Sequence, residues 1–243
     1  MSKASLAYER MRVLEALDAL KSRIDSVCSG CGRTGAGVTV VAVSKGFGPE
    51  AIEAAIAANL TDIGENYYQE AARKFAQLTW PPVPLRRHYL GLVQRKKARR
   101  IAELFDWVQT VDTADTAAAL NSGAKAAGKT LDVLIQVNAT GDRRQGVPVE
   151  EAGVLAADVA RHDHLRVRGI MTIGPDAAAG SQAAFSQASA CFTQLRELHP
   201  GFDTLSMGMS GDFDPALRAG ANMIRIGTGL FGPRPKPPVE GEE

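Results

Sequence analysis

The 243-residue sequence predicts a closed (β/α)8 barrel, a single α/β TIM-type domain preceded by one extra helix. Two observations carry this expectation. Eight short β-branched runs are each followed by an Ala/Leu-rich helical stretch, the pattern of parallel βα units. Unusual polar residues then gather just after the strands, where barrels keep their reactive groups. An open doubly wound sheet is the competing topology, but no Gly-rich dinucleotide fingerprint follows the first strand.

The elements follow in order. Leu6, Met11, Leu14, Leu17, Leu20, Ile24 and Val27 recur among charged residues as one face of an N-terminal helix. Gly30, Gly32, Gly35 and Gly37 end it. The predicted strands are 38–43, 61–64, 87–90, 107–111, 131–137, 166–170, 203–206 and 222–226. Residues 1–234 form the expected domain, and the Pro-rich, charged stretch 235–243 is expected to be a disordered tail.

Composition narrows the function classes. A net charge of +1, from 28 basic and 27 acidic side chains, argues against nucleic acid or an acidic membrane as partner. No run reaches 18 apolar residues and the first residues do not read as a signal peptide, so a cytoplasmic protein is expected. Cys28, Cys31 and Cys191 are an odd count and too few for a disulfide framework. Cys28-Ser-Gly-Cys31 has metal spacing but lacks a second ligand pair, and no metal site is expected. The cluster Arg95, Lys96, Lys97, Arg99, Arg100 reads as a solvated helix face.

The chemistry is expected at the strand ends. Lys45 closes the first strand, where an apolar setting would lower the pKa of its amine and favour imine formation with an aldehyde. Ser206-Met207-Gly208-Met209-Ser210 and Arg225-Ile226-Gly227-Thr228-Gly229 follow strands seven and eight, the recurrent phosphate position of barrels. Pyridoxal 5'-phosphate (PLP) would span that opening, with its aldehyde at Lys45, its phosphate at Ser206, Ser210, Gly227 and Thr228, and its ring nitrogen facing Arg225. Asn66 and Glu65 read equally as ligand contacts or as caps of the next helix. His88 reads as an interior histidine, and Met171, Met207 and Met209 as pocket lining or core. A sugar-phosphate aldolase using Lys45 is an open rival.

Ala42-Val43-Ser44-Lys45, Gly64-Glu65-Asn66-Tyr67, His88-Tyr89-Leu90-Gly91, 205–210 and 225–228 occur together and in order. In this the chain resembles the pyridoxal phosphate homeostasis protein family from about Leu6 to Arg234. The resemblance implies the barrel of the alanine racemase N-terminal domain without that enzyme's second domain. It implies a monomer that holds PLP, a form of vitamin B6, as a reversible Schiff base on Lys45, with an open cofactor face. It implies no catalytic residue and no established turnover. Asn66, Ser206, Met207, Ser210, Arg225, Gly227 and Thr228 complete the implied cofactor site. PLP-dependent apoenzymes are the implied partners, and a PLP-dependent racemase or lyase is the alternative. Gln94-Arg95-Lys96-Lys97 and Arg144 depart from the family's pattern.

Overall fold

The computed structural model describes residues 3–78, 84–175 and 178–234. Among them, eight parallel strands form a closed ring: β1 Thr39–Val43, β2 Asp62–Glu65, β3 Arg86–Tyr89, β4 Trp107–Val111, β5 Leu131–Asn138, β6 Leu165–Met171, β7 Thr204–Ser206 and β8 Met223–Ile226. Every end lies within one residue of the sequence expectation. The ring closes where β8 pairs with β1, Val41 opposite Arg225 and Ala42 opposite Ile226. The short pair Val147–Pro148 adds to the end of β5 outside the ring. The expected tail, 235–243, lies outside the described residues.

Side-chain alternation sorts the strands into two cores, because successive residues of a strand point to opposite faces. Val41, Val43, Trp107, Leu134, Met171 and Met223, with Leu90 against them, fill the barrel interior. Ala42, Ile63, Tyr89, Val133, Ile135, Ile170, Leu205 and Ile224 point outward and pack under the helices. Gly64 faces inward, where a Cβ would lie 2.7 Å from Leu90 and 3.0 Å from Val41, so the interior has no room for a side chain there.

The outer layer is α1 Lys3–Ser29, α2 Pro49–Ala57, α3 Tyr68–Gln77, α4 Ala98–Leu104, α5 Ala114–Ala126, α6 Ala152–Val159, α7 Ala178–Leu198, α8 Phe213–Arg218 and α9 Thr228–Phe231. α2 starts on Pro49 with Glu50 in its first turn, and Thr113 caps α5 by accepting from the Thr116 amide. α9 is a single turn, too short to cover the β8–β1 seam. α1 covers it instead, packing on α2, α8 and α9.

The buried stripe of α1 is Val13, Leu17, Leu20, Ile24 and Val27, a strict four-three spacing. Met11 and Leu14, expected on that face, are exposed, because they sit about 160° and about 100° of helix rotation from the centre of the stripe. Each buried side chain stabilises the seam by about 1.5–3 kcal/mol. Arg12 donates to the Phe231 carbonyl at 2.7 Å, and Arg33 reaches the carbonyls of Leu217 and Ala221 at 2.6 and 2.9 Å, so α1 is pinned at both ends.

The N-terminal ends of the strands carry ion pairs: Arg86 on Asp62, Arg87 on Asp106, and Arg166 and Arg168 on Asp132. Arg95, Lys96, Arg99 and Arg100 are exposed, as a solvated helix face requires, and Arg99 pairs with Glu103 at 3.0 Å. No described helix is long and apolar enough to cross a membrane.

Candidate functional site

Lys45 owes its position to alternation. Val41 and Val43 point inward, Ser44 outward, and Lys45 inward again at the mouth. It sits in the turn just after β1 rather than in the strand, half-buried. The backbone on either side is clamped from behind. Lys74 donates to the Ser44 carbonyl at 2.7 Å, Ser44 Oγ donates to Glu65 at 2.6 Å, and Glu70 accepts the Gly46 amide at 2.6 Å. Lys74 bridges both carboxylates, at 2.5 Å to Glu65 and 2.7 Å to Glu70.

These charges are deeply buried. Glu65 is fully inaccessible and Lys74 is 4% exposed. Burial pushes the Glu65 carboxyl up from its ordinary value, with Lys74 and Ser44 opposing. The Lys45 amine is held below the ordinary lysine range, first by burial and then by the positive charges of Arg234 and Arg225, with Glu65 and Glu70 offsetting part of the effect. That is the direction a nucleophilic amine needs.

Lys45 opens into a cleft of about 290 Å³ at the mouth. Val43, Leu90 and Met171 continue the interior core up into its wall, and Arg225 from β8 lies among them. Burial pushes the Arg225 guanidinium down to about 10. On the other side stand Met209, Ser210 and Gly211 after β7, and Gly227 and Thr228 after β8. Ser210 Oγ accepts the Gly229 amide at 3.1 Å, tying these two loops together. Asp212 accepts the Met209 amide at 2.6 Å and sets the first of them.

Small residues are required here for stated reasons. Gly208 has φ of +94°, and a Cβ on it would lie 2.7 Å from Ala216 and 2.9 Å from the Phe213 backbone. A Cβ on Gly229 would lie 3.0 Å from Ile226 and 3.2 Å from Ser210. A cradle of small residues with hydroxyls, facing three cationic side chains, suits a phosphorylated anion. Lys45 lines the same cleft.

Of the expected site residues, Lys45, Asn66, Ser210, Arg225, Gly227 and Thr228 line this cleft together. Ser206 and Met207 do not. Ser206 points inward but one layer below, level with Met171 and Met223, where its hydroxyl is covered by Arg225 and bonded to it at 2.8 Å. Met207 has the opposite parity, faces the helix layer and is fully buried there. Its amide is already bonded to the Met223 carbonyl at 3.1 Å.

Several participants went unrecognised in the sequence. Lys74 and Glu70 hold the backbone around Lys45, and Thr172 accepts from Arg225 through its carbonyl at 2.9 Å. Arg234 reaches back over Gly46 to the cleft. For Lys74 a signal existed: a lysine on the buried side of an amphipathic helix needs carboxylate partners. Among the described residues no cluster of metal-ligating side chains occurs, and Cys28, buried, and Cys31, exposed, are both free.

The family described as "Alanine racemase, N-terminal domain" matches residues 16–235. The pyridoxal phosphate homeostasis protein of Pseudomonas aeruginosa is 40% identical over 227 residues, covering 91% of this chain and 96% of that protein. The structure of PipY from Synechococcus elongatus with PLP bound is 34% identical, with a TM-score of 0.79, and covers 90% of this chain and 100% of that one. An alanine racemase of Clostridium difficile shares the fold at 16% identity and a TM-score of 0.71, matching 93% of this chain and 57% of the racemase. On its sequence, and on the barrel that sequence forms, this chain belongs to the pyridoxal phosphate homeostasis protein family.

Proposed function

We propose that this chain binds PLP at the barrel mouth and acts in intracellular PLP homeostasis. The observation that carries the reading is the convergence of a pKa-lowered amine, a buried guanidinium and a small-residue cradle on one cleft, in a chain whose relatives are named for PLP homeostasis. When bound, PLP supplies an aldehyde that condenses reversibly with an amine. Lys45 is the amine that meets it. Ser210, Gly227 and Thr228 would hold the phosphate, Arg225 would face the ring nitrogen, and Asn66 would border the ring on the β2 side.

Arg225 is a donor that keeps its own proton, so beside the ring nitrogen it would leave that nitrogen unprotonated and weaken the ring as an electron sink. Val43, Leu90 and Met171 line the cleft and would exclude water from one face of a bound ring. The polar side chains on the described cleft wall are Lys45, Asn66, Ser210, Arg225, Thr228 and Arg234. A racemising site needs two bases on opposite faces of a bound amino acid, and Lys45 is the base this wall offers. The reading is therefore a carrier that gives PLP to apoenzymes, rather than an enzyme; that it works as a cytoplasmic monomer is carried by the family resemblance alone.

The test is the visible spectrum of purified protein beside Lys45→Ala, before and after borohydride reduction. The loaded protein should absorb near about 420 nm and become irreversibly labelled on reduction, with Lys45→Ala doing neither. An unlabelled Lys45 in PLP-saturated protein overturns the assignment. Racemisation or elimination of common amino acids above trace rates favours the racemase or lyase alternative.

A further inference from the structure

The barrel interior holds a line of polar side chains that the cleft contacts leave unexplained. It begins at Arg225, whose Nη1 donates to Ser206 Oγ at 2.8 Å. Ser206 Oγ donates its proton to Gln109 Oε1 at 2.7 Å. Gln109 Nε2 donates to His88 Nδ1 at 3.0 Å, and His88 Nε2 donates to Asp62 Oδ1 at 2.9 Å. Arg86 closes the line by donating to Asp62 Oδ2 at 2.6 Å. Ser206, Gln109 and His88 are inaccessible to solvent, and Asp62 and Arg225 are nearly so.

With one proton on the His88 ring, the two ends fix the direction of every bond between them. A guanidinium only donates and an ionised carboxylate only accepts, so each proton in the line points from Arg225 toward Asp62. Burial works to raise the Asp62 carboxyl, but bonds from His88 and Arg86 outweigh it and hold the group below its ordinary value, hence ionised. The partner set assigns the Gln109 amide oxygen to Ser206 and the His88 proton to Nε2. His88 is further held by stacking on Trp107, with ring centroids 5.3 Å apart.

Arg225 needs such a line because no carboxylate lies within ion-pair distance of it among the described residues. Its acceptors are a hydroxyl and the Thr172 carbonyl. A carbonyl is an acceptor always, whereas a hydroxyl is one only while its proton is directed elsewhere. Gln109 directs it. If Gln109 turned over, its NH2 would face Ser206 and the hydroxyl proton would lose its acceptor, so the hydroxyl would no longer be held with a lone pair fixed on Arg225.

We propose that His88 and Gln109 are positioning residues that act through Ser206 to lock the Arg225 guanidinium in one orientation, with its remaining N–H groups presented to the cleft. The inference rests on the PLP reading for its purpose. Its geometry can be tested without the cofactor.

The experiment is 15N NMR of the arginine guanidinium groups in cofactor-free, full-length protein, with Arg225 assigned through Arg225→Lys. Locked, Arg225 gives separate Nη1 and Nη2 signals. Gln109→Met and His88→Phe keep the bulk and remove the hydrogen bonds, and the two signals should merge in each. Leu134→Val, an interior change outside the line, should leave them separate even at a matched loss of thermal stability. PLP affinity of Gln109→Met and His88→Phe should fall about ten-fold, the worth of one hydrogen bond to a charged group. Separate signals in folded Gln109→Met and His88→Phe overturn the proposal. Should either fail to fold, Ser206→Ala removes the last link, and separate signals there overturn it equally. Protein that never binds PLP would sink the functional reading while the NMR result stood.

Discussion

Lys74 anchors the backbone on which Lys45 rides, and its replacement by Met is a severe perturbation of calculable size. The side chain is 5% exposed, bonds the Ser44 carbonyl and bridges Glu65 and Glu70. Met has similar bulk but leaves two carboxylates facing each other, one of them fully buried. Isolating one member of a buried ion pair costs about 3–5 kcal/mol. At about 2–4 °C per kcal/mol for a chain of this size, the thermal midpoint should fall by about 6–20 °C.

The sign of the pH dependence follows from Glu65. Burial already raises its pKa in the folded state, and removing Lys74 removes the group that opposes this. A carboxyl with a raised folded pKa stabilises the fold below its unfolded pKa, and that contribution is lost as pH rises through the folded value. Lys74→Met should thus lie nearest wild type in acid, and the gap should widen toward neutral pH. Adding Glu65→Leu removes the isolated charge and should recover most of the loss. Scanning fluorimetry from pH 4 to 8 reads all three proteins. The reasoning collapses if Lys74→Met unfolds within about 2 °C of wild type at neutral pH, under the shift of a single kcal/mol, or if the double variant is no better than the single one.

The lowered pKa of Lys45 makes the rate of PLP capture rise with pH with a midpoint below that of a free lysine, and Arg234→Ala, which removes the second contributor, should move the midpoint upward in stopped-flow absorbance. Apoprotein stability follows the same group: a depressed folded pKa means stability is lost as pH falls through it, so Lys45→Met should flatten the alkaline part of the stability profile. Gly208→Ala forces a side chain at φ +94° against Ala216 and should cost about 1–3 kcal/mol in urea titration, with weaker PLP binding because Ser210 moves with the loop. Iodoacetamide under native conditions should label Cys31 before Cys28, which is buried and whose thiol burial pushes up; mass spectrometry of the peptides decides it.

Strand positions were legible because an apolar run between turn residues has few readings. Lys45 was legible because strand parity carries Val41 and Val43 inward and puts Lys45 on the same side. The same parity puts Met207 on the helix side: with Ser206 inward, its neighbour must face the helices. The level of Ser206 was not legible, since depth in a barrel depends on the stagger between strands, and stagger is not written in any one strand. The interior line of Asp62, His88, Gln109 and Ser206 draws on four strands, and each residue alone looks like an ordinary polar exception. The bond between Lys74 and the Ser44 carbonyl joins residues 30 apart and depends on how α3 lies on the barrel.

The seam that α1 covers has a temporal consequence. β1 is the first strand made and β8 the last, yet they are neighbours, so Lys45 and Arg225 face one cleft only after the ring has closed. A nascent chain carries its reactive amine early, while the guanidinium and the cradle around Gly227 arrive some 180 residues later. During synthesis Lys45 is an unassisted lysine in a growing polypeptide. On the Lys45 assignment, cofactor capture would report completed folding, because a truncated or stalled chain would lack the guanidinium and the cradle.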